Sequence, residues 1–206
     1  DSPRSPVKAM SALLLLLVMC APRSAVAGLP APVPIPGNRV DAVFALKGYL
    51  AALKADVLGA QKSIYLDYYV FGGQPAEEVA RALVQRHQDG LDVRVIFDRQ
   101  LGTVGALRKE VVMIRDLLVK GGVPFRTAVT RKGTGMHRRV VDHNKLVVID
   151  GKVSYVGGTN VCKVMEKFND LMLRVDGPAS DHVQQQFLHD WDLAGGSGAL
   201  PQTDLT

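Results

Sequence analysis

The chain has 206 residues, of which 47% are hydrophobic and 22% charged; this is ordinary globular composition, with material for one well-cored domain and too little for two full ones. The formal net charge is +5, but residues 1–27 hold Arg4, Lys8 and Arg23 against Asp1, so the remainder is only mildly basic. That balance suits an anionic partner, a phospholipid surface or a polynucleotide, without choosing between them.

Arg4 and Lys8 precede an apolar run from Ala9 to Ala21, and Ala25-Val26-Ala27 follows as a small-residue cleavage site. Residues 1–27 therefore read as a secretory signal peptide. The apolar run is short for a bilayer span, which leaves an uncleaved anchor as the other reading. An exported chain is expected, periplasmic or secreted, with membrane association as a further option. Cleavage after Ala27 leaves Cys162 as the sole thiol, so no intramolecular disulfide forms and a free, buried cysteine is expected.

Residues 28–40, with Pro30, Pro32, Pro34 and Pro36, form a stiff proline-rich linker, and the domain is expected over 41–194. Val43, Leu46, Leu50, Leu53 and Val57 stand at helical spacing. Ser63 to Phe71 reads as a strand closed by Gly72-Gly73. Pro75 then opens a helix to His87, with Glu77 and Glu78 in its first turn. Leu91–Phe97 is the next strand, Val104–Lys120 the next helix, and Val123–Val129 a further short strand. This alternation predicts an α/β fold, a mixed β-sheet flanked by helices on both faces.

After Arg131 the pattern changes to a basic loop, two apolar strands around Asp150-Gly151, a strand from Asn169 to Val175 and a closing helix from Ala179 to Leu193. Trp191 in that helix is either core or a membrane-interface anchor. Residues 195–206, beginning Gly195-Gly196-Ser197-Gly198, read as a flexible C-terminal linker or a truncation; with a start at Asp1, this leads us to expect a piece of a longer protein.

Asp150-Gly151 between apolar runs signals a two-residue hairpin turn. A tight turn pairs Ile149 with Lys152 and brings His143 level with Gly158, with Thr159 and Asn160 at the same end. His143 and Lys145, two apart on a strand, share a face. An imidazole and an ammonium together, beside glycines that admit a substrate, suit nucleophilic attack on a phosphodiester: the ring nitrogen attacks phosphorus and the cation offsets charge on the non-bridging oxygens. Asp150 points to the opposite face about 23 Å from His143 along an extended strand, and so reads as a turn residue, paired with a basic partner, rather than as a proton carrier.

His143-x-Lys145-x4-Asp150 followed by Gly157-Gly158-Thr159-Asn160 resembles the signature of the phospholipase D superfamily. Tyr68-Tyr69, the stretch from Gly90 to Asp98, the stretch from Asn169 to Ala179, and Phe187 with Trp191 are similar to the amino-terminal half of its cardiolipin-synthase-like branch. The resemblance implies a two-step reaction needing no metal and no cofactor, in which a histidine takes the phosphoryl group and an alcohol or water later accepts it. Carried onto this chain, the catalytic set is His143, Lys145, Asp150 and Asp170, with Asp170 holding the histidine in its reactive tautomer. Gly158, Thr159 and Asn160 form the substrate-binding set. The family assembles its site from two such motifs, and this chain has one. The second belongs either to a missing C-terminal half in cis or to a second copy in trans.

Arg126, Arg131, Lys132, Arg138 and Arg139 form either a solvated loop or a rim that draws in phosphate groups. His137 lacks a lysine two residues on, and His87, His182 and His189 read as surface residues of helices. The implied function is phosphodiester hydrolysis or transfer on anionic phospholipids at a membrane surface. The alternatives are a single-motif exported endonuclease active as a homodimer, with nucleic acid as its substrate, and a non-catalytic remnant that binds anionic surfaces.

Overall fold

The structure, a computed structural model, describes residues 34–98, 105–128 and 141–195. Residues 1–27, expected as a signal peptide, residues 28–33 of the linker, the basic residues between 131 and 139, His137 and the stretch 196–206 lie outside the described residues. A seven-stranded sheet runs through the domain: β1 (Arg39–Phe44), β2 (Ser63–Tyr68), β3 (Asp92–Phe97), β4 (Phe125–Thr127), β5 (Lys145–Ile149), β6 (Val153–Gly157) and β7 (Leu171–Asp176). Their spatial order is β1-β7-β6-β5-β2-β3-β4. Strands β2, β3 and β4 are mutually parallel, and every other pairing is antiparallel. Among the described residues four α-helices cover it: α1 (Leu46–Gly59), α2 (Gly73–Gln88), α3 (Gly105–Lys120) and α4 (Ala179–Leu193).

The mixed sheet with helices on both faces is the expected α/β architecture, and side-chain parity shows how it is held. Ile64, Leu66 and Tyr68 of β2, with Val147 and Ile149 of β5, face α1, α2 and α3 and pack among Tyr49, Leu53, Val79, Leu83, Ile114 and Leu118. Tyr65, Leu146 and Val148 face the other way, onto Phe187 and Trp191 of α4. Strands covered on both sides read as continuous apolar runs instead of alternating ones; this is why β2 and β5 are buried almost throughout. Cys162 is the free cysteine of the described residues and is buried.

Several local expectations change. Val43 belongs to β1, not to a helix: Arg39–Phe44 pairs antiparallel with β7 as an edge strand, and the chain turns at Ala45, φ 62°, before α1 begins at Leu46. Because α2 starts at Gly73, Glu77 and Glu78 stand beyond its first turn and pair instead with Arg81 and Lys54. Arg126 is not on a basic rim. It is 1% exposed, donates to the Trp191 carbonyl at 2.9 Å and lies 3.8 Å from the centre of the Trp191 ring. Trp191 is thereby a core residue: its indole and the guanidinium each cover the other's polar or π surface.

The hairpin register is one residue away from the expected one. Ile149 pairs with Val153 and Leu146 with Val156, so Asp150, Gly151 and Lys152 all lie in the turn, with φ of 55° and 65° at the first two. The reason lies in β2. The Asp150 backbone N–H donates to the Ser63 carbonyl at 2.9 Å, and its carboxylate accepts the backbone N–H groups of Gln61, Lys62 and Ser63 at 2.7 to 2.9 Å. Asp150 thus continues the β5–β2 alignment, and the reversal toward β6 takes one residue more. Its partner is the backbone, not a basic side chain.

Burial alone would raise the pKa of Asp150, but the hydrogen bonds from Ser63, Gln61 and Lys62 and the nearby Lys152 outweigh that and hold the carboxyl below its usual range. Asp150→Ala is therefore expected to lower the unfolding free energy by about 2–4 kcal/mol, measured by urea denaturation. Since the folded-state pKa is the lower one, the stabilisation is present above about pH 4 and is lost as pH falls through the folded value. In Asp150→Asn the acid-side drop in wild-type stability should be smaller by the same contribution.

Candidate active site

The predicted site residues other than Asp150 gather at one end of the sheet. His143 and Lys145 sit where β5 begins, Gly157 to Asn160 where β6 ends, and Asp170 just before β7. The parallel strands β2 and β3 end there too, delivering Tyr69 and Asp98. At this place β2 has a parallel neighbour on one side and an antiparallel one on the other, and the carboxyl ends of the parallel strands β2 and β3 open onto it, the end at which open sheets bind ligands.

His143 is exposed and Lys145 is 5% exposed. The Lys145 ammonium lies 3.2 Å from His143 Nδ1 and donates to the His143 carbonyl at 2.9 Å, so the shared face is real. Tyr69 forms the wall behind them: its ring centre is 4.6 Å from that of the imidazole and 5.4 Å from Lys145 Nζ. Burial, and then the Lys145 charge, lower the His143 pKa against the opposing pull of Asp98 and Asp142, which favours neutral imidazole. Burial also lowers the Lys145 pKa, with Asp170, Asp142 and Asp67 opposing.

The tautomer follows from the contact. A protonated Lys145 donating to Nδ1 leaves the proton of neutral His143 on Nε2. A nucleophilic Nε2 requires the reverse, an acceptor at Nδ1. Asp170, expected to supply that acceptor, instead binds the backbone N–H of Leu171 at 3.2 Å, and its field acts on Lys145.

The glycines are required by close approach. A β-carbon at Gly157 would strike the Leu171 carbonyl oxygen, and one at Gly158 would stand 2.7 Å from Asp170 Oδ1. Extending the observed register places Lys145 level with Gly157 and His143 level with Thr159, not with Gly158. Thr159 is buried and so does not line an exposed surface. Asn160 is half-buried, and its side-chain oxygen has no partner among the described residues; this is hydrogen-bonding capacity of the kind a substrate oxygen satisfies. Asp150 lies at the far end of β5 with its carboxylate occupied by the amides of residues 61–63, which removes it from the reacting centre.

Sequence reasoning missed the acids beneath the site. Asp67 and Asp98 are fully buried, and both bind the segment that carries His143. Their signal was present: Asp67 is a lone carboxylate inside the otherwise apolar run from Ile64 to Phe71, and Asp98 ends the run from Val95 to Phe97. Among the described residues, no group of three or more His, Cys, Asp or Glu side chains is placed to hold a metal ion. A cavity of about 740 Å³ between α1 and α2, lined by Leu46, Leu50, Lys54, Pro75, Glu78 and Glu166, shares no residue with the candidate site.

Comparison with known proteins follows the same lines. Residues 53–191 match the family described as cardiolipin synthase, PLD-like domain. The chain is 32% identical over 168 residues to the major cardiolipin synthase ClsA of Bacillus subtilis, a match covering 76% of this chain and 34% of that protein. It is 29% identical over 160 residues to the cardiolipin synthase of Listeria welshimeri, covering 72% and 32%. The chain thus spans about a third of the length of the curated relatives it matches. In fold it is similar to Nuc from Salmonella typhimurium, a phospholipase D family member, with a TM-score of 0.61 at 17% identity, covering 76% of this chain and 96% of that one. NucT from Helicobacter pylori gives a TM-score of 0.59 at 17% identity, covering 75% and 98%. With the family model matching well over half its length, and the histidine, lysine and glycines of the motif gathered at one sheet end, this chain belongs to the cardiolipin synthase, PLD-like domain family.

Proposed function

We propose that the chain provides one half of the active site of a phosphodiester-transfer enzyme acting on anionic phospholipids, either a phosphatidyltransferase of the cardiolipin synthase type or a phospholipase D. The observation that carries this reading is a largely buried ammonium 3.2 Å from an exposed, neutral-leaning imidazole. In the first step a His143 nitrogen bonds to phosphorus as the bond from phosphorus to the leaving alcohol breaks, and an acid from the second motif protonates that alcohol. In the second step an acceptor alcohol, or water, loses its proton to that group and attacks phosphorus, and the phosphorus–nitrogen bond breaks.

Lys145 offsets the charge that builds on the non-bridging oxygens, and its burial strengthens that interaction. The Asn160 amide binds one of those oxygens. Gly157 and Gly158 let β7 and the Asp170 carboxylate close against the end of β6, which keeps Asp170 beside the site. An acceptor must reach Nδ1 before Nε2 can attack. Asp170 is the carboxylate assigned to that role, and engagement with the second half, in cis or from a second copy, is the event that brings it there. Asp150 belongs to the motif through folding. The segment 1–27 supports an exported protein working at a membrane surface.

With the complete, assembled protein and phosphatidylglycerol vesicles, His143→Ala should lower kcat about 10³-fold or more and abolish an alkali-stable phosphorylated histidine trapped during turnover. Lys145→Met should cost about 10²–10³-fold in kcat while leaving the melting temperature of the domain close to wild type. DNA binding that weakens steeply with salt, together with hydrolysis of a bis-nitrophenyl phosphodiester and no lipid turnover, would replace this reading with the endonuclease. If His143→Ala changes nothing measurable, the chain is a surface-binding remnant.

The lowered His143 pKa also sets the acid side of the pH profile. Attack needs neutral imidazole, so kcat/KM should rise with pH, with its half-maximal point below the ordinary imidazole value of 6.5. A half-maximal point above that value in a steady-state pH series would count against His143 as the group that titrates.

A further inference from the structure

On the α4 side of the sheet, behind the imidazole, lies a group of carboxyls for which the phosphoryl chemistry has no use. Asp67 is fully buried near the end of β2. One of its oxygens, Oδ2, accepts the Asn144 side-chain amide at 2.9 Å; the other, Oδ1, is buried without a partner donor among the described residues. The carboxyl of Asp142 lies within hydrogen-bonding reach of Asp67 and also accepts the Asn144 backbone N–H at 3.3 Å. The Asp142 backbone N–H donates to Asp98 Oδ2 at 2.8 Å, and the Asn144 carbonyl accepts the Tyr69 N–H at 2.9 Å. Residues 142 and 144, on either side of His143, are therefore fastened to the ends of β2 and β3, and His143 has only the freedom these bonds leave it.

We propose that Asp67 and Asp142 share one proton, that Asp67 is thereby a positioning residue for His143, and that loss of the shared proton sets the alkaline limit of the reaction; the last part rests on the function proposed above.

Two carboxyls in hydrogen-bonding contact with no donor between them supply only acceptors, and a bond between them exists only while one is protonated. Burial first, and then the Asp142 charge, push the Asp67 pKa up to about 8, with Asp190 adding to the rise and the Asn144 amide opposing it. The Asp142 pKa is raised as well, again first by burial, with Asp190 and Asp98 contributing. The groups facing the Asp67–Asp142 pair are thus Asp190 on α4, which acts on both carboxyls, Asp98 at the end of β3, which acts on Asp142, the Asn144 amide and, across the sheet, the Lys145 ammonium. Two of these are further acids. Once the proton leaves, Asp67 and Asp142 repel each other in a buried setting, and the segment moves off the strand ends. His143 then shifts against Tyr69 and Lys145.

An asparagine at position 67 reproduces the protonated state. Its oxygen accepts from Asn144, its NH₂ donates to Asp142, and it does not titrate.

The test compares wild type, Asp67→Asn and Asp67→Ala in the full chain, assembled as for activity. Before any substrate is added, infrared difference spectra at neutral pH should show the carbonyl stretch of a protonated carboxylic acid, absent in Asp67→Asn. The His143 imidazole resonances should step with a midpoint near pH 8 in wild type and show no such step in Asp67→Asn. In turnover, wild-type kcat should fall above that pH with KM little changed, whereas Asp67→Asn should hold its kcat further into alkali. Asp67→Ala should lose about tenfold or more in kcat at neutral pH, and asparagine should restore most of it.

Absence of the protonated-acid band, or an alkaline limb and a His143 step unchanged in Asp67→Asn, would overturn the proposal. The band and the resonance step need no catalysis, so their presence without lipid turnover would uphold the shared proton and overturn the functional reading instead.

Discussion

The antiparallel pairing of β5 with β2, in the middle of the sheet, is the constraint from which the site takes its geometry. It is fixed at both ends by side chains that leave their own strand. At one end the Asp150 carboxylate gathers three backbone N–H groups at the start of β2; at the other the Asn144 amide reaches the buried Asp67 near its end. A slip of one residue between these strands would turn every β5 side chain to the wrong face, sending Lys145 toward α4 and Leu146 and Val148 into the wrong core. The position of an ammonium beside an imidazole is thus decided in large part by side chains that take no part in the chemistry, Asn144 between the two groups and Asp150 at the far end of β5.

Charge placement across the sheet has a related logic. A lysine 5% exposed is costly to bury unless opposing charge lies nearby. Here Asp170 lies on its own side, and Asp142 and Asp67 lie behind the strand; all three favour the charged form. Asp142 and Asp67 also crowd each other. The cation required for phosphoryl chemistry and the strained group of acids are two halves of one electrostatic arrangement. The segment carrying His143 runs between them.

Much of this was legible from residue order. Helical spacing and glycine stops located α2, α3 and α4 because their apolar stripes are wide and their ends are punctuated. The motif brought His143, Lys145 and Gly157 together because parity and a tight reversal leave few alternatives. Errors arose where a tertiary contact overrode a local signal. Val43 fits a helical stripe, but Arg39–Phe44 has β7 to pair with and becomes a strand. Asp150-Gly151 is a strong two-residue turn signal, yet the bonds from residues 61–63, remote in sequence, keep Asp150 aligned with β2 and lengthen the turn. Arg126 looked like part of a basic loop because nothing nearby in sequence announces Trp191 as its stacking partner. Asp67 and Asp98 escaped notice because a single carboxylate within or at the end of an apolar run looks like an ordinary strand residue until the chain folds over it.

Cys162 has a consequence for the conditions under which the fold survives. Its thiol is buried, and burial, opposed by the Met165 and Val164 backbone, raises its pKa. Both the thiolate character and the access that sulfur exchange requires are therefore withheld. The described domain is held by packing and hydrogen bonds and carries its one sulfhydryl out of reach of oxidants and glutathione alike. Its architecture is accordingly indifferent to redox poise, the same on either side of a membrane that separates a reducing compartment from an oxidising one.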